Sequence, residues 1–305
     1  MWFLFTIATL LLWGGADLFY KISADESDRY SYLKTSATVG LVMGAHAFYT
    51  LLFGSVTYDV RNLAIYLPVS LMYILSMTIG YFGLRYIEVS VSSPIQNTSG
   101  AVVCILCLLF LHESMDALSG TAVIIICISV FLLGLLERTR ENSLTDDDKS
   151  IRHSAKALLM PVLYCVFDAL GTFFDAYYLD DISTTPLVGV TEDTFEDVAN
   201  TSYELAFFIV AVVLLFYLLV IKKEKLSVKG SAPMLSAAVL ETAGQSTYVY
   251  AMSGSGAVAA PVIAAYCVVS VLLGRVFLKE KLSKPQYLVI FAVVVGIVLL
   301  GIAEA

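Results

Sequence analysis

The stretch that decides the fold is Pro261–Gly301, which reads PVIAAYCVVSVLLGRVFLKEKLSKPQYLVIFAVVVGIVLLG. It contains an apolar run that begins with proline, a short polar turn that includes Glu280, and a second apolar run that ends in glycine. The same pattern occurs 167 residues earlier, at Pro94, Glu113 and Gly134. A fixed offset between two similar segments indicates an internal repeat, so the chain is predicted to consist of two related halves of about 150 residues.

The composition is typical of a membrane protein. Hydrophobic residues make up 59% of the 305 residues, charged residues only 14%, and the mean hydropathy is +0.84. A soluble domain of this size has too little interior to bury so much apolar surface. Crossing the hydrocarbon core takes roughly 20 apolar residues, and about ten such runs occur. We therefore predict a multi-pass protein of the cell membrane.

The ten apolar runs divide equally between two halves, 1–136 and 156–305, which are separated by the charged link 137–155. Related halves with an odd number of spans must insert in opposite orientations. The sequence thus predicts an all-α membrane protein whose ten transmembrane helices form two inverted five-helix repeats. This construction is typical of secondary transporters, whose binding site lies near the midplane between the repeats.

Basic residues are distributed unequally between the two faces that ten spans define. Of the 18 Lys and Arg residues, 17 fall near the links that follow spans 1, 3, 5, 7 and 9, and Arg61 alone falls on the other face. Cytoplasmic links carry the excess of Lys and Arg, so both termini are predicted to lie outside. The acidic residues after span 6 would also lie outside, in a solvated loop rather than a cation site: Asp180, Asp181, Glu192, Asp193, Glu196, Asp197 and Glu204.

The doubled pattern resembles the EamA-like family of the drug/metabolite transporter superfamily. The resemblance is carried by Trp13-Gly14 and by the turns Leu111-His112-Glu113 and Leu278-Lys279-Glu280, and it extends over essentially the whole chain. It implies ten helices in an inverted repeat and a central cavity lined mainly by helices 1, 3, 4, 6, 8 and 9. It also implies transport or export of a small metabolite, driven by an ion gradient or by exchange.

Acidic side chains inside the predicted spans are the candidates for function, because an ionisable group at the bilayer centre costs about 2.5–3.5 kcal/mol. Asp168 and Glu241 lie near the centres of spans 6 and 8, and Asp17 lies ~7–8 Å from the centre of span 1. Each carboxyl group is interpreted either as a site for a proton or a substrate cation, or as a protonated group that bonds to a neighbouring helix. For Asp17 and Asp175, solvation at the membrane interface is the preferred interpretation.

Glu241, Gln245 and Tyr248 form one polar stripe on span 8, since residues at i, i+4 and i+7 share a helical face. At the repeat offset the tyrosine recurs as Tyr81 but the acid does not, and an acid in one half suits a task performed once. We predict that the stripe faces a midplane cavity opposite Asp168 and Tyr81. Glu241 would carry a proton or pair with a cationic substrate, while Gln245 and Tyr248 would hydrogen-bond the substrate.

Other notable residues are interpreted as structural. Gly40 and Gly44 predict a close approach of two helices, and His46 is interpreted as a hydrogen-bond partner of a neighbouring helix. The turn glutamates of the repeat are interpreted as helix or turn caps. All five cysteines lie in apolar runs and are interpreted as packing residues, including the Cys-x-x-Cys pair at Cys104.

A membrane-embedded enzyme and a non-transporting channel or receptor are the alternative functions. The chain has no His-Glu-x-x-His motif and only three histidines. Ser255 lies between two glycines, but no histidine of the second half follows His153, so a glycine-rich turn is preferred to a nucleophile. The predicted function is a small-metabolite carrier, with export and proton coupling or exchange favoured. No cofactor, metal or nucleic acid is expected, and the oligomeric state is not predicted.

Overall fold

A computed structural model describes residues 1–24, 28–54, 56–86, 89–141, 155–224 and 231–303, and every regular element in these ranges is helical. The first half contains α1 (Trp2–Ser23), α2 (Ser31–Phe53), α3 (Arg61–Ile65), α4 (Leu67–Gly83), α5 (Val89–Gln96), α6 (Ser99–Leu106) and α7 (Ala117–Glu141). The second half contains α8 (Ala155–Leu179), α9 (Phe195–Phe216), α10 (Ala232–Met252), α11 (Gly256–Ala264), α12 (Tyr266–Phe277) and α13 (Lys284–Ala303). Most of the predicted link 137–155 lies outside the described residues.

Eight helical stretches in the described ranges are long and apolar enough to cross a membrane. They are Trp2–Ser23, Ser31–Phe53, Ser92–Leu111, Ala117–Leu136, Leu159–Leu179, Phe195–Ile221, Gly256–Phe277 and Lys284–Ala303. Two further helices coincide with predicted spans 3 and 8. Leu67–Gly83 is apolar but shorter, and α10 has the length but carries Glu241, Gln245 and several hydroxyl residues. The all-helical membrane class is confirmed, whereas ten spans in an inverted repeat remain a prediction.

Backbone details recur at the repeat offset. The proline-led span is broken in both halves, by a turn at Asn97-Thr98 and by one at Ala265. There the Thr98 and Ala265 amides donate to carbonyls three residues earlier rather than four, which is 3₁₀ geometry. At the end of the span, His112 and Lys279 have left-handed φ values of 55° and 60°, a conformation that few non-glycine residues adopt. Predicted spans 4 and 9 are therefore each two helices.

The helices of one half pack mainly against helices of the other. The principal pairs are α1 with α10, α4 with α8, α2 with α9, α7 with α13, and α6 with α11. Exchanging the halves converts the α1–α10 pair into the α8–α4 pair and the α6–α11 pair into the α12–α5 pair, which is also in contact, and it leaves the α2–α9 and α7–α13 pairs unchanged. The two halves thus form one interdigitated core.

The α2–α9 interface confirms the close helix packing predicted from Gly40 and Gly44. A Cβ atom at Gly40 would overlap the carbonyl oxygen of Phe207, and one at Gly44 would overlap the ring of Phe208. His46 Nδ1, further along α2, lies 2.8 Å from Oε1 of Glu204, as expected of a helix-to-helix hydrogen bond. Gly40 also faces Ala211, Gly44 faces Phe208 and His46 contacts Glu204, so the residue numbers rise along α2 as they fall along α9 and the two helices are antiparallel.

The acidic segment after α8 is shorter than predicted. Helix α9 begins at Phe195, so Glu196 and Asp197 occupy its first turn, where the helix dipole favours carboxylates. Glu204 is fully buried against His46, which corrects its assignment to a solvated loop. A run of acids without Lys or Arg does not by itself distinguish a loop from the polar start of a helix. Glu192 and its neighbours before α9 are exposed, as predicted.

The links between helices gather at opposite ends of the bundle. At one end, Lys21 Nζ donates to the carbonyl oxygen of Leu84 at 2.9 Å, which joins the links that follow α1 and α4. At the other end, the side chain of Asn62 bonds to the backbone of Val188, and Glu113 bonds to Ser255. We name these the Lys21 end and the Glu113 end.

The cysteines pack in the interior as predicted. Cys104 and Cys107 are buried in the two apolar clusters that form the core. Their side chains contribute apolar surface at the contact between the halves.

Candidate functional site

A cavity of about 60 Å³ lies at the centre of the bundle, between the two halves. Its lining comes from α1, α4, α5, α6, α8, α10, α11 and α12, and from α9 through Tyr203. Apart from α9, these helices make up predicted spans 1, 3, 4, 6, 8 and 9, which are the spans that the family resemblance implies. The volume is that of about two water molecules and well below the usual size of a metabolite pocket. Binding a metabolite therefore requires lining side chains to move apart.

Glu241 lines the cavity. Glu241 lies on α10 and is only 7% exposed. Its Oε2 atom accepts a hydrogen bond from the hydroxyl of Tyr20 on α1 at 3.1 Å. The indole nitrogen of Trp13 donates to the Glu241 backbone carbonyl at 3.4 Å. Asp17 and Asp168 are near enough to act on Glu241 electrostatically. The three carboxyl groups thus line the same cavity.

Asp168 and Asp17 are each fixed by serine hydroxyls from the broken helices. Ser99, the first residue of α6, donates to Asp168 Oδ2 at 2.6 Å. Ser93 of α5 and Ser270 of α12 donate to Asp17 Oδ2 at 2.6 and 2.7 Å. Asp17 therefore lines the cavity, and its interpretation as an interface-solvated group is wrong. The helix breaks matter to the site because they bring these serines to the acids.

Asp175 is buried rather than solvated, and it lies outside the cavity. Its relative exposure is 0%, and it accepts a short hydrogen bond from the Tyr66 hydroxyl at the start of α4. Depth along a span was the wrong criterion for Asp17 and Asp175, because neighbouring helices cover both positions.

The predicted stripe on α10 is divided by the fold. Glu241 and Tyr248 line the cavity, whereas Gln245 is fully buried beside it. The amide atoms of Gln245 have no hydrogen-bond partner among the described residues. At 100° per residue, Gln245 points about 60° away from Tyr248, and the cavity meets only one edge of the stripe. The structure therefore separates Gln245 from Glu241, Asp168, Asp17, Tyr248 and Tyr81, which share the cavity.

Eight aromatic side chains contribute to the cavity wall, and the sequence reasoning identified only two of them as site residues. The lining includes Trp13, Tyr20, Tyr73, Tyr81, Tyr164, Tyr203, Tyr248 and Tyr266. The Tyr20 and Tyr81 rings lie 4.5 Å apart, and the Trp13 and Tyr248 rings 5.1 Å apart. Tyrosine in membrane helices usually collects at the bilayer interfaces. Tyrosines in the middle of predicted spans are therefore the sequence signal by which the rest of this wall could have been found.

The cavity is acidic and its lining contains no Lys, Arg or His. Within the described ranges, no three His, Cys, Asp or Glu side chains are grouped so as to hold a metal ion.

A second, more open pocket of about 230 Å³ lies at the Glu113 end. Glu113 accepts hydrogen bonds from the Ser255 hydroxyl at 2.7 Å and from the Ala257 amide at 3.1 Å. It therefore caps the start of α11, which confirms the capping role predicted for this turn glutamate. Ser255, considered above as a nucleophile, is part of that cap. Asp180 faces the same pocket, and its partial burial beside Glu113 raises its pKa.

Comparisons with known proteins agree with this architecture. A crystal structure aligns with 98% of this chain and 96% of its own chain at a TM-score of 0.64 and 13% identity, a level at which the likeness shows the fold alone. No curated protein matches. Residues 199–302 match the model of the EamA-like transporter family. The match lies within the second half, and the matched family is part of the drug/metabolite transporter superfamily, which the doubled turn pattern also resembles.

Proposed function

We propose that the protein is a secondary transporter that moves a small metabolite across the cell membrane by alternating access, with export the favoured direction. The observation that carries the proposal is the acidic, aromatic cavity at the contact of the two halves. Secondary transporters bind their substrates at this position. The family match in residues 199–302 supports the same function.

The proposed architecture is ten spans in two inverted repeats, 1–136 and 156–305. Its main support is the α2–α9 pair, in which Gly40 faces Phe207, the residue 167 positions later. Equivalent helices that pack antiparallel at equivalent residues are related by a two-fold axis perpendicular to them, which lies in the membrane plane. The matching left-handed turns at His112 and Lys279 also support it.

Two hydrogen bonds between tyrosine and a carboxyl group close the cavity at opposite ends in this proposal. The Tyr20–Glu241 latch joins α1 to α10 on the side of the Lys21 end. The Tyr66–Asp175 latch joins α4 to α8 on the side of the Glu113 end. Exchange of the halves converts one helix pair into the other, so opening one latch while the other stays closed gives alternating access.

Proton coupling follows from the position of Glu241 in its latch. An ionised carboxylate accepts a stronger hydrogen bond than a neutral carboxyl group. Proton uptake by Glu241 would therefore weaken its bond to Tyr20 and favour opening at the Lys21 end. Charged and titratable groups face Glu241 from every neighbouring element, namely Asp17, Tyr20, Tyr81, Tyr164, Asp168, Tyr203 and Tyr266.

The proposed orientation puts the Lys21 end in the cytoplasm and both termini outside. The support is the bias of 17 basic residues to 1, together with the Lys21–Leu84 contact between two links assigned to the same face.

The test is transport into proteoliposomes under an imposed pH gradient, measured over a panel of small metabolites. Glu241→Gln keeps the size and polarity of the side chain but cannot ionise, so it should abolish gradient-driven uptake while leaving the protein folded. Glu192→Gln removes an exposed carboxylate outside the site and should transport normally. Full, pH-dependent transport by Glu241→Gln would remove Glu241 from the coupling mechanism. Flux that does not saturate would indicate a channel, and chemical conversion of a metabolite would indicate an enzyme.

A further inference from the structure

We propose that the central cavity selects a small organic cation, an ammonium group with apolar substituents. The inference rests on the proposed carrier function and adds the chemical class of the substrate. Four features carry it: the charge of the cavity, its aromatic wall, an unpartnered hydroxyl group, and an acidic approach from the Glu113 end.

The charge of the cavity favours a cation. Asp17, Asp168 and Glu241 all line it, and no lining residue is basic. An anionic metabolite would meet these carboxylates without a positive partner, and like charges in such a site cost several kcal/mol. A cation supplies the missing counter-charge.

The aromatic wall favours an organic cation over an inorganic ion. Seven tyrosines and Trp13 contribute ring surface to the cavity, and an ammonium group is attracted to ring faces within about 6 Å. Calcium or magnesium would require six or more oxygen ligands to converge. No acidic cluster of that kind occurs in the part of the chain that the structure describes.

The hydroxyl group of Tyr81 is an unused polar group in the wall. Tyr81 is 7% exposed, lines the cavity, and its hydroxyl has no hydrogen-bond partner among the described residues. Leaving a buried hydroxyl group without a partner costs about 1–3 kcal/mol. A polar group on the substrate would supply that partner, while the Tyr81 ring covers the ammonium.

The pocket at the Glu113 end has the same charge preference. Glu113 and Asp180 line it without any basic residue. A cleft lined by one sign of charge raises the local concentration of the opposite ion. A cation is therefore drawn to this end of the protein before it reaches the cavity.

The test compares three probes of similar size and different charge: tetramethylammonium, tert-butanol and pivalate. Trp2 and Trp13 are the only tryptophans, and Trp2 packs against Gly254, away from the cavity. In the purified full-length protein with Trp2→Phe, fluorescence therefore reports binding beside Trp13. Tetramethylammonium should change the fluorescence saturably, whereas tert-butanol and pivalate should not.

Variants then locate the binding. Glu241→Gln should weaken tetramethylammonium binding at least about tenfold, and Glu192→Gln should leave it unchanged. Tyr81→Leu removes the ring and should weaken binding about tenfold, whereas Tyr81→Phe keeps the ring and should weaken it less than about threefold. Thermal unfolding of each variant establishes that it is folded, and the Tyr81 pair still tests the site if Glu241→Gln does not fold.

Two results would overturn the inference. One is binding of tert-butanol or pivalate as tight as that of tetramethylammonium, and the other is no binding of tetramethylammonium at all. A protein that transports neutral metabolites but fails this test retains the carrier function and loses the cation selectivity. A protein that binds tetramethylammonium but moves no member of a panel of organic cations retains the site and loses the carrier function.

Discussion

At the scale of single residues, the cavity depends on hydroxyl groups that satisfy one another away from water. The hydroxyl of Tyr73 lies 2.7 Å from that of Tyr248 and 2.8 Å from Oγ1 of Thr172. All three side chains are buried. These two hydrogen bonds therefore join α4, α8 and α10 at the wall of the cavity.

Tyr73→Phe should lower the free energy of unfolding by about 1–3 kcal/mol, because it leaves Tyr248 and Thr172 without their shared partner. The double variant Tyr73→Phe/Tyr248→Phe should cost less than the sum of the single variants, since the unpaired tyrosine hydroxyl is then also removed. Denaturant unfolding in detergent micelles measures all three, with the more exposed Tyr177→Phe as the control. Additive costs would show that the two hydroxyl groups are energetically independent.

At the scale of elements, helix caps recur at the repeat offset with different chemistry. Asp116 Oδ1 accepts from the Leu118 and Ser119 amides at the start of α7. The residue 167 positions later is Ser283, at the start of α13, whose own amide donates to Gln286 Oε1 at 2.5 Å. Both are recognised N-cap arrangements, and the second corresponds to half of a capping box.

The Asp116 cap predicts a dependence of stability on pH. Hydrogen bonds from the Ser119 amide, the Ser119 hydroxyl and the Leu118 amide lower the pKa of Asp116. Because the pKa is lower in the folded state, the ionised carboxylate stabilises the fold at pH values above the unfolded-state pKa of about 3.9. That stabilisation is lost as the pH falls through the folded-state pKa. Asp116→Ala should therefore lower the unfolding temperature at neutral pH and have no effect once the parent carboxyl group is protonated. Equal effects at both pH values would mean that the charge plays no part in the cap.

At the scale of the whole molecule, the orientation in the membrane is the prediction with the simplest measurement. Reporters placed after Ala305 and after Glu192 should both be external, because the ten-span topology assigns 17 of the 18 basic residues to the opposite face, which is then cytoplasmic. A reporter inserted in the link 142–154 should be cytoplasmic and serves as the internal comparison. A cytoplasmic signal from either of the first two sites would mean that the number of spans or the orientation is wrong.

The sequence predicted a repeat but not the backbone details that share its offset. One offset of 167 residues relates Pro94 to Pro261 and Glu113 to Glu280, and the left-handed turns and helix breaks obey the same offset. A repeat can be detected in a single sequence because the same residue types recur at the same spacing in both copies. The inverted arrangement itself depends on the orientation of helices in three dimensions, and the offset alone does not contain that information.

The cavity was only partly predictable, because its residues are brought together by contacts between the halves. Glu241 and Asp168 stand out in sequence as acids within apolar runs. Asp17 lies nearer the end of its span, which favours solvation, yet Ser93 and Ser270 both donate hydrogen bonds to it. Gln245 satisfied the helical periodicity but faces away from the cavity. Periodicity identifies a face of a helix, and only the neighbouring helices decide which edge of that face meets the site.

The cap that Glu113 provides for α11 has a consequence for biosynthesis. Glu113 belongs to the first half, whereas Ser255 and Ala257, which donate to it, belong to the second. On the ribosome, Glu113 is made more than a hundred residues before its partners, so the nascent first half is made before the donors to this carboxylate exist. We expect a first half expressed alone to remain in that state and to be degraded faster than the full-length protein. We expect co-expression of the second half as a separate chain to supply the missing donors and to slow that degradation.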